Sequence, residues 1–225
     1  MDTADSLERA QMVGTVGVMM AEMARKISTA AAVWRVLGEE MGKEVPVFAA
    51  LGTTGHEGAA YTRMVVVRGV DAKQETVWLS SHCGAQKVEH LRLHPTAEVV
   101  IWLPEQRMQI RLRSNWRVID GAVTARMPGL KGVRMRAWDQ HSAATRLMFF
   151  HPTPMRPLDA KGLRALKQRM EMAGDVQMQT MPPMEFALLV GTVERMDVLR
   201  VAGSIHERWI HAKGQRGWKS ERVTP

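Results

Sequence analysis

Cysteine occurs once in the chain, at Cys83, which excludes an internal disulfide and suits a reducing compartment. No stretch approaches the roughly 20 consecutive apolar residues that cross a bilayer. No run of five or six like charges supplies the arm or tail by which many chains grip nucleic acid. No single element carries histidines at metal-ligand spacing, and no internal repeat is visible. Asp2, Asp5 and Glu8 precede the first apolar patch, the wrong charge for a secretory leader. These absences together lead to the expectation of a cytoplasmic protein with no membrane partner.

What is present is ordinary in amount and basic in balance. The 225 residues are 45% hydrophobic and 24% charged, enough for one domain with a sizeable core. The formal net charge of +8 calls for an anionic partner. Because the cations are dispersed, a phosphorylated small molecule fits better than nucleic acid or an anionic membrane.

Residues 6–42 read as a helical arm, with Leu7, Met12, Val16, Met19, Met20 and Met23 at near-helical spacing. Such a methionine face serves as core or subunit contact. From Pro46 the period changes to two. Strands are expected over 47–51, 61–70, 75–81 and 97–103, with a helix over 84–93 closed by Pro95. The next strand alternates most cleanly. Met108, Ile110, Leu112, Trp116 and Val118 fall on one face, while Arg107, Gln109, Arg111, Arg113, Asn115 and Arg117 fall on the other. Helix is expected over 132–150, and again over 158–173 with Asp159 as N-cap. A long apolar strand follows over 186–199. A final hairpin runs over 204–211 and 218–223, turning across 214–217. The fold class is therefore mostly β, an antiparallel barrel with added helices. The expected division is an N-terminal helical arm over 1–44 and a barrel domain over 45–225.

The segment from Ser80 to Lys87 joins a strand to a helix N-terminus, where free backbone N–H groups and the helix dipole favour an anion. Ser80 and Ser81 offer hydroxyls and Lys87 a full charge. Before this segment stands Arg63-Met64-Val65-Val66-Val67-Arg68-Gly69, and after it His94-Pro95-Thr96-Ala97. Further on come Met108-Gln109-Ile110, Ala137-Trp138 to Arg146, Pro152–Pro154, and Ser204-Ile205-His206-Glu207-Arg208. In this order the motifs resemble the pyridoxamine 5′-phosphate oxidase family of FMN-binding split barrels over residues 45–223. The flavour is that of the oxidase-related group rather than the vitamin enzyme itself.

The resemblance implies FMN as cofactor and a homodimer with the flavin at its interface. It implies that Arg63 and Lys87 hold the phosphate beside Ser80, Ser81 and Gln86, and that the backbone of Met64, Val65 and Val66 runs along the flavin. Gln109 would hydrogen-bond near the ring, Arg208 would approach from the C-terminal hairpin, and Ser142 is a further phosphate candidate. Arg68 and His206 would meet the substrate, and His206 is the candidate for proton handling. Arg63 and Arg68 are five apart and should leave opposite sides of a regular strand, so a shared site requires a bulge or a second subunit.

The chain also departs from the family pattern. Gln86 stands where the family has the arginine before its phosphate lysine, and Ser80 where it has an aromatic. Val198 replaces a tryptophan, and Ser204 replaces the arginine of an Arg-x-His motif. The expected function is an FMN-dependent oxidoreductase of unassigned substrate. The alternatives are a non-catalytic FMN carrier, or a split-barrel module for haem, a deazaflavin or nucleic acid.

Overall fold

The structure is a computed structural model that describes residues 27–173, 180–201 and 206–225. The methionine-rich part of the expected arm, residues 6–26, lies outside the described residues, as do Ser204 and Ile205. Helix α1 (Ala30–Met41) opens on Thr29, whose hydroxyl accepts from the Ala32 N–H at 3.2 Å. Its Ala30, Val33, Trp34, Val36 and Leu37 are buried within the barrel's own core.

Eight strands follow: β1 (Val47–Thr54), β2 (Ala60–Asp71), β3 (Thr76–His82), β4 (Thr96–Leu103), β5 (Met108–Ile119), β6 (Phe186–Arg200), β7 (Glu207–Gly214) and β8 (Gly217–Val223). They form one antiparallel sheet in the order β3-β2-β1-β4-β5-β6-β7-β8. A second pairing of β3 with β6 closes the first six strands into a barrel. Closure removes the sheet edges that an open array of this length would expose. Strand β6 divides its pairing, taking β3 over Phe186–Thr192 and β7 over Arg195–Arg200. The ladder slips by one residue between these halves. The Val193 N–H turns to the Glu75 carbonyl there, at 2.9 Å.

The alternation expected of β5 is observed. Met108, Ile110, Leu112, Trp116 and Val118 are buried, whereas Arg113, Asn115 and Arg117 are exposed. The barrel interior is filled by these residues with Leu51, Leu79, Val99, Ile101, Leu189, Val193 and Met196.

Between β5 and β6 the chain makes an excursion that differs from the single helix expected over 132–150. Asp120 caps α3 (Gly121–Arg126), a turn of helix that composition did not announce. Then come α4 (Lys131–Asp139) and α5 (Ala143–Leu147), separated because Ser142 caps a new helix start instead of continuing the old one. Trp138 is fully buried here, its ring edge-on to Phe149, Phe150 and Phe186. This aromatic cluster packs the excursion against the β6 end of the barrel. Two helices remain to be placed. Helix α2 (Gln86–Leu93) lies between β3 and β4, and α6 (Ala160–Ala173) is capped by Asp159, whose carboxylate accepts from Gly162 at 2.6 Å. No helix among the described residues is long and apolar enough to cross a membrane.

Candidate functional site

Strands β2 and β3 are paired only from Val67 and Leu79 toward their shared turn. Beyond that point β2 keeps β1 as its partner, β3 keeps β6, and the two strands part. Arg68 is the extra residue of a bulge at the fork, between the pairs Val67–Leu79 and Gly69–Trp78. A bulge bends its strand and re-aims side chains. Glycine follows it for a steric reason, since a Cβ at residue 69 would collide with the Trp78 indole.

The fork opens into a cleft of about 400 Å³ lined by Phe48, Met64, Val65, Val66, Arg68, Ser80, Lys87, Thr145, Met148 and Phe149. That size lies in the range of ligand sites. Its walls are mostly apolar and its polar groups converge. Lys87, in the first turn of α2, donates to the Ser81 hydroxyl at 3.2 Å. Burial pushes its pKa down, and the neighbouring Arg63 guanidinium adds to the shift. Arg63 lies behind Lys87 rather than in the lining. Its Nη1 donates to the Leu51 carbonyl at 3.2 Å, the Thr53 hydroxyl at 2.5 Å and the Tyr61 carbonyl at 3.3 Å. Burial also lowers the pKa values of Arg63 and Arg68. Among the described residues no carboxylate pairs with any of these three cations, and the buried Nε of Arg68 has no hydrogen-bond partner. Three partly buried, unpaired cations cost solvation, and an anionic ligand is the group that offsets it.

Ser80 has an engagement that sequence did not reveal. It is 2.8 Å from His141 Nε2, while His141 Nδ1 is 2.7 Å from the Ala137 carbonyl. A carbonyl only accepts, so Nδ1 carries the proton and Ser80 donates to Nε2. Burial, with Arg68 nearby, pushes the His141 pKa down and keeps this arrangement neutral. Ser80 therefore presents acceptor lone pairs to the cleft.

Of the residues expected at the site, the cleft gathers Met64, Val65, Val66, Arg68, Ser80 and Lys87, with Ser81 and Arg63 directly behind. Others stand elsewhere in this chain. Gln86 is exposed and outside the lining, because it precedes Lys87 by one position and leaves the helix at another angle. Ser142 accepts from the Thr145 N–H at 3.3 Å as a helix cap, and its neighbour Thr145 takes the place in the lining. Gln109 and Arg208 occupy one row of the sheet, both opposite Leu199, on strands remote from the fork. Arg208 is held by Asp197 through two hydrogen bonds of 3.0 and 2.8 Å, and Arg111 binds the same carboxylate. His206 is exposed and precedes β7 instead of lying within it, so its expected projection beside Arg208 from one strand face is lost. Phe48, Thr145, Met148, Phe149 and His141 were not anticipated. A helical reading of 132–150 gave no reason to fold residues 141–149 back over the β2–β3 fork.

The fold and the cleft define a class: a split β-barrel with a cationic cleft where two strands part. Residues 31–120 match the sequence profile of the pyridoxamine 5′-phosphate oxidase FMN-binding domain. The pyridoxine/pyridoxamine 5′-phosphate oxidase 2 of Arabidopsis thaliana is 25% identical over 180 residues, covering 78% of this chain and 85% of its own. A pyridoxamine 5′-phosphate oxidase-related, FMN-binding protein of Nostoc punctiforme superposes with a TM-score of 0.71 at 22% identity, covering 87% of this chain and 96% of that one. PhzG of Burkholderia lata, solved with tetrahydrophenazine-1-carboxylic acid, gives 0.72 at 15% identity over 91% and 96%. Residues 31–120 thus resemble that FMN-binding domain in sequence, and the two superpositions show that the chain shares the fold of these proteins.

Proposed function

We propose that this protein binds FMN in the β2–β3 cleft and acts as an FMN-dependent oxidoreductase. The observation that carries the reading is the set of cations Arg63, Arg68 and Lys87, left without carboxylate partners among the described residues around an apolar cleft. Lys87 and Arg63 would hold the phosphate, with Ser81 fixing the Lys87 ammonium. Arg68, aimed into the lining by its bulge, is the residue for an anionic group of the substrate. Phe48, Met148 and Phe149 would exclude water from the ring system. When bound, FMN supplies the two-electron chemistry, and the chain supplies orientation and charge.

A homodimer belongs to this proposal. Phe48, Met64 and Trp102 are 55%, 65% and 50% exposed on neighbouring strands, a patch that continues from the cleft wall and is of the kind that marks an interface. A two-fold axis through it would let Gln109 and Arg208 of one protomer serve the cleft of its partner. A carrier without catalysis is the second reading, favoured by the exposed position of His206 outside the cleft. Reduction of the FMN-loaded protein by a panel of reductants, followed by air, tests the proposal. Turnover with any of them supports an oxidoreductase. FMN that binds but turns over with none supports the carrier. Failure to bind FMN refutes both.

A further inference from the structure

Arg63 and Lys87 sit on different elements and repel each other, so something must hold them at the separation a phosphate needs. We propose that Thr53 and His90 are positioning residues that tie these two cations together and so make the cleft selective for a phosphomonoester over the uncharged flavin. This rests on the FMN reading above.

The geometry is a chain of donors and acceptors with one direction. The Arg63 guanidinium can only donate, so Thr53 Oγ1 accepts from it at 2.5 Å. The Thr53 proton then faces His90 Nδ1 at 3.0 Å. With the Thr53 proton given to that nitrogen, the imidazole is neutral and carries its own proton on Nε2. Thr53 and His90 are 5% and 3% exposed, so water does not compete for these bonds and each is stronger than a surface bond. His90 follows Lys87 by three residues in α2 and shares its side of the helix. The chain therefore links β2, through Thr53 of β1, to the helix that carries the second cation. The Tyr61 ring packs on the imidazole, centroids 4.7 Å apart.

The charges facing His90 are Arg63 from β2, Glu57 and His56 from the β1–β2 turn, and Glu89 from its own helix. Burial, then Arg63, pushes its pKa down, in keeping with a neutral ring. An imidazolium would bring a second donor to Thr53 and leave the hydroxyl proton without an acceptor.

The test uses the full chain, titrated with FMN and with riboflavin. Thr53→Val should weaken FMN about tenfold, or about 1.4 kcal/mol, and change riboflavin by less than about twofold. His90→Leu should give the same split. His90→Asn places an amide oxygen near the position of Nδ1 and should restore most of the FMN affinity, whereas His90→Gln, which reaches toward Nε2, should not. Equal losses for the two flavins, no loss for FMN, or equal rescue by Asn and Gln would overturn the assignment. If Thr53→Val does not fold, the three His90 variants decide alone. A wild-type chain that binds neither flavin would instead remove the FMN reading beneath it.

Discussion

Replacing Lys87 by methionine should have opposite effects on the free and the FMN-loaded protein. The ammonium is partly buried, is held by one hydroxyl at 3.2 Å and faces Arg63 rather than a carboxylate. Methionine keeps the length and apolar stem while removing the unpaired charge. Relief of desolvation and like-charge repulsion is on the order of 1 kcal/mol for a group still partly screened by water. That raises the Tm of the free protein by about 2–4 °C for a chain of this size. FMN, in contrast, loses one charge-assisted hydrogen bond, about 1.5–3 kcal/mol, so its affinity falls roughly 10- to 150-fold and its protective Tm shift shrinks accordingly.

The pH dependence has a definite sign. The folded pKa of Lys87 is depressed, so the folded chain releases this proton before the unfolded chain does. The destabilisation is fully present below the folded pKa and is relieved as pH rises toward the unfolded value of about 10.4. The gap between variant and wild type should therefore narrow in alkali. Differential scanning with and without FMN at several pH values measures all of this. A lower Tm for the free variant together with an unchanged FMN shift would refute the reasoning.

Trp138→Ala empties the centre of the aromatic cluster formed with Phe149, Phe150 and Phe186, and urea unfolding should report a loss of about 3–5 kcal/mol. For Asp197, burial would raise the pKa, but Arg208 and Arg111 outweigh it and hold the carboxyl below its usual range. Its stabilisation is thus present above the unfolded pKa of about 3.9 and is lost as pH falls through the folded value. Asp197→Asn should cost about 2 kcal/mol near neutrality and flatten the acid limb of the stability profile. Trp102→Asp places a charge in the exposed patch with Phe48 and Met64 and should yield a monomer by sedimentation velocity, with weaker FMN binding. An unaltered oligomer would place the interface elsewhere.

The barrel was legible because its strands alternate. In β5 every second residue from Met108 to Val118 is apolar except Ser114, and the buried face follows that pattern. The hairpin of β7 and β8 was legible from its glycines, since Gly217 adopts a φ of 101° that other residues rarely take. Lys87 and Arg68 were legible as cleft residues through the order of motifs. The requirement for a bulge or a second subunit, if Arg63 and Arg68 share a site, followed from a five-residue spacing on a period of two, and a slip occurs at Arg68 itself. The roof of the cleft was not legible. Residues 121–150 carry no long periodic run, and their path is set by Trp138 packing on Phe186, a contact across 48 positions. The engagement of Ser80 by His141 and of Arg208 by Asp197 belongs to the same class. Each joins residues whose local sequence gives no sign of the other.

The central claim is that the β2–β3 fork is an FMN phosphate site, and side-by-side titration of the wild-type chain with FMN and riboflavin tests it most directly. Quenching of flavin fluorescence should saturate with FMN at least about a hundredfold below the riboflavin concentration required, as two charge-assisted contacts imply. The preference should vanish in Arg63→Ala with Lys87→Ala. Equal affinity for the two flavins, or unchanged FMN binding in the double variant, would contradict the account.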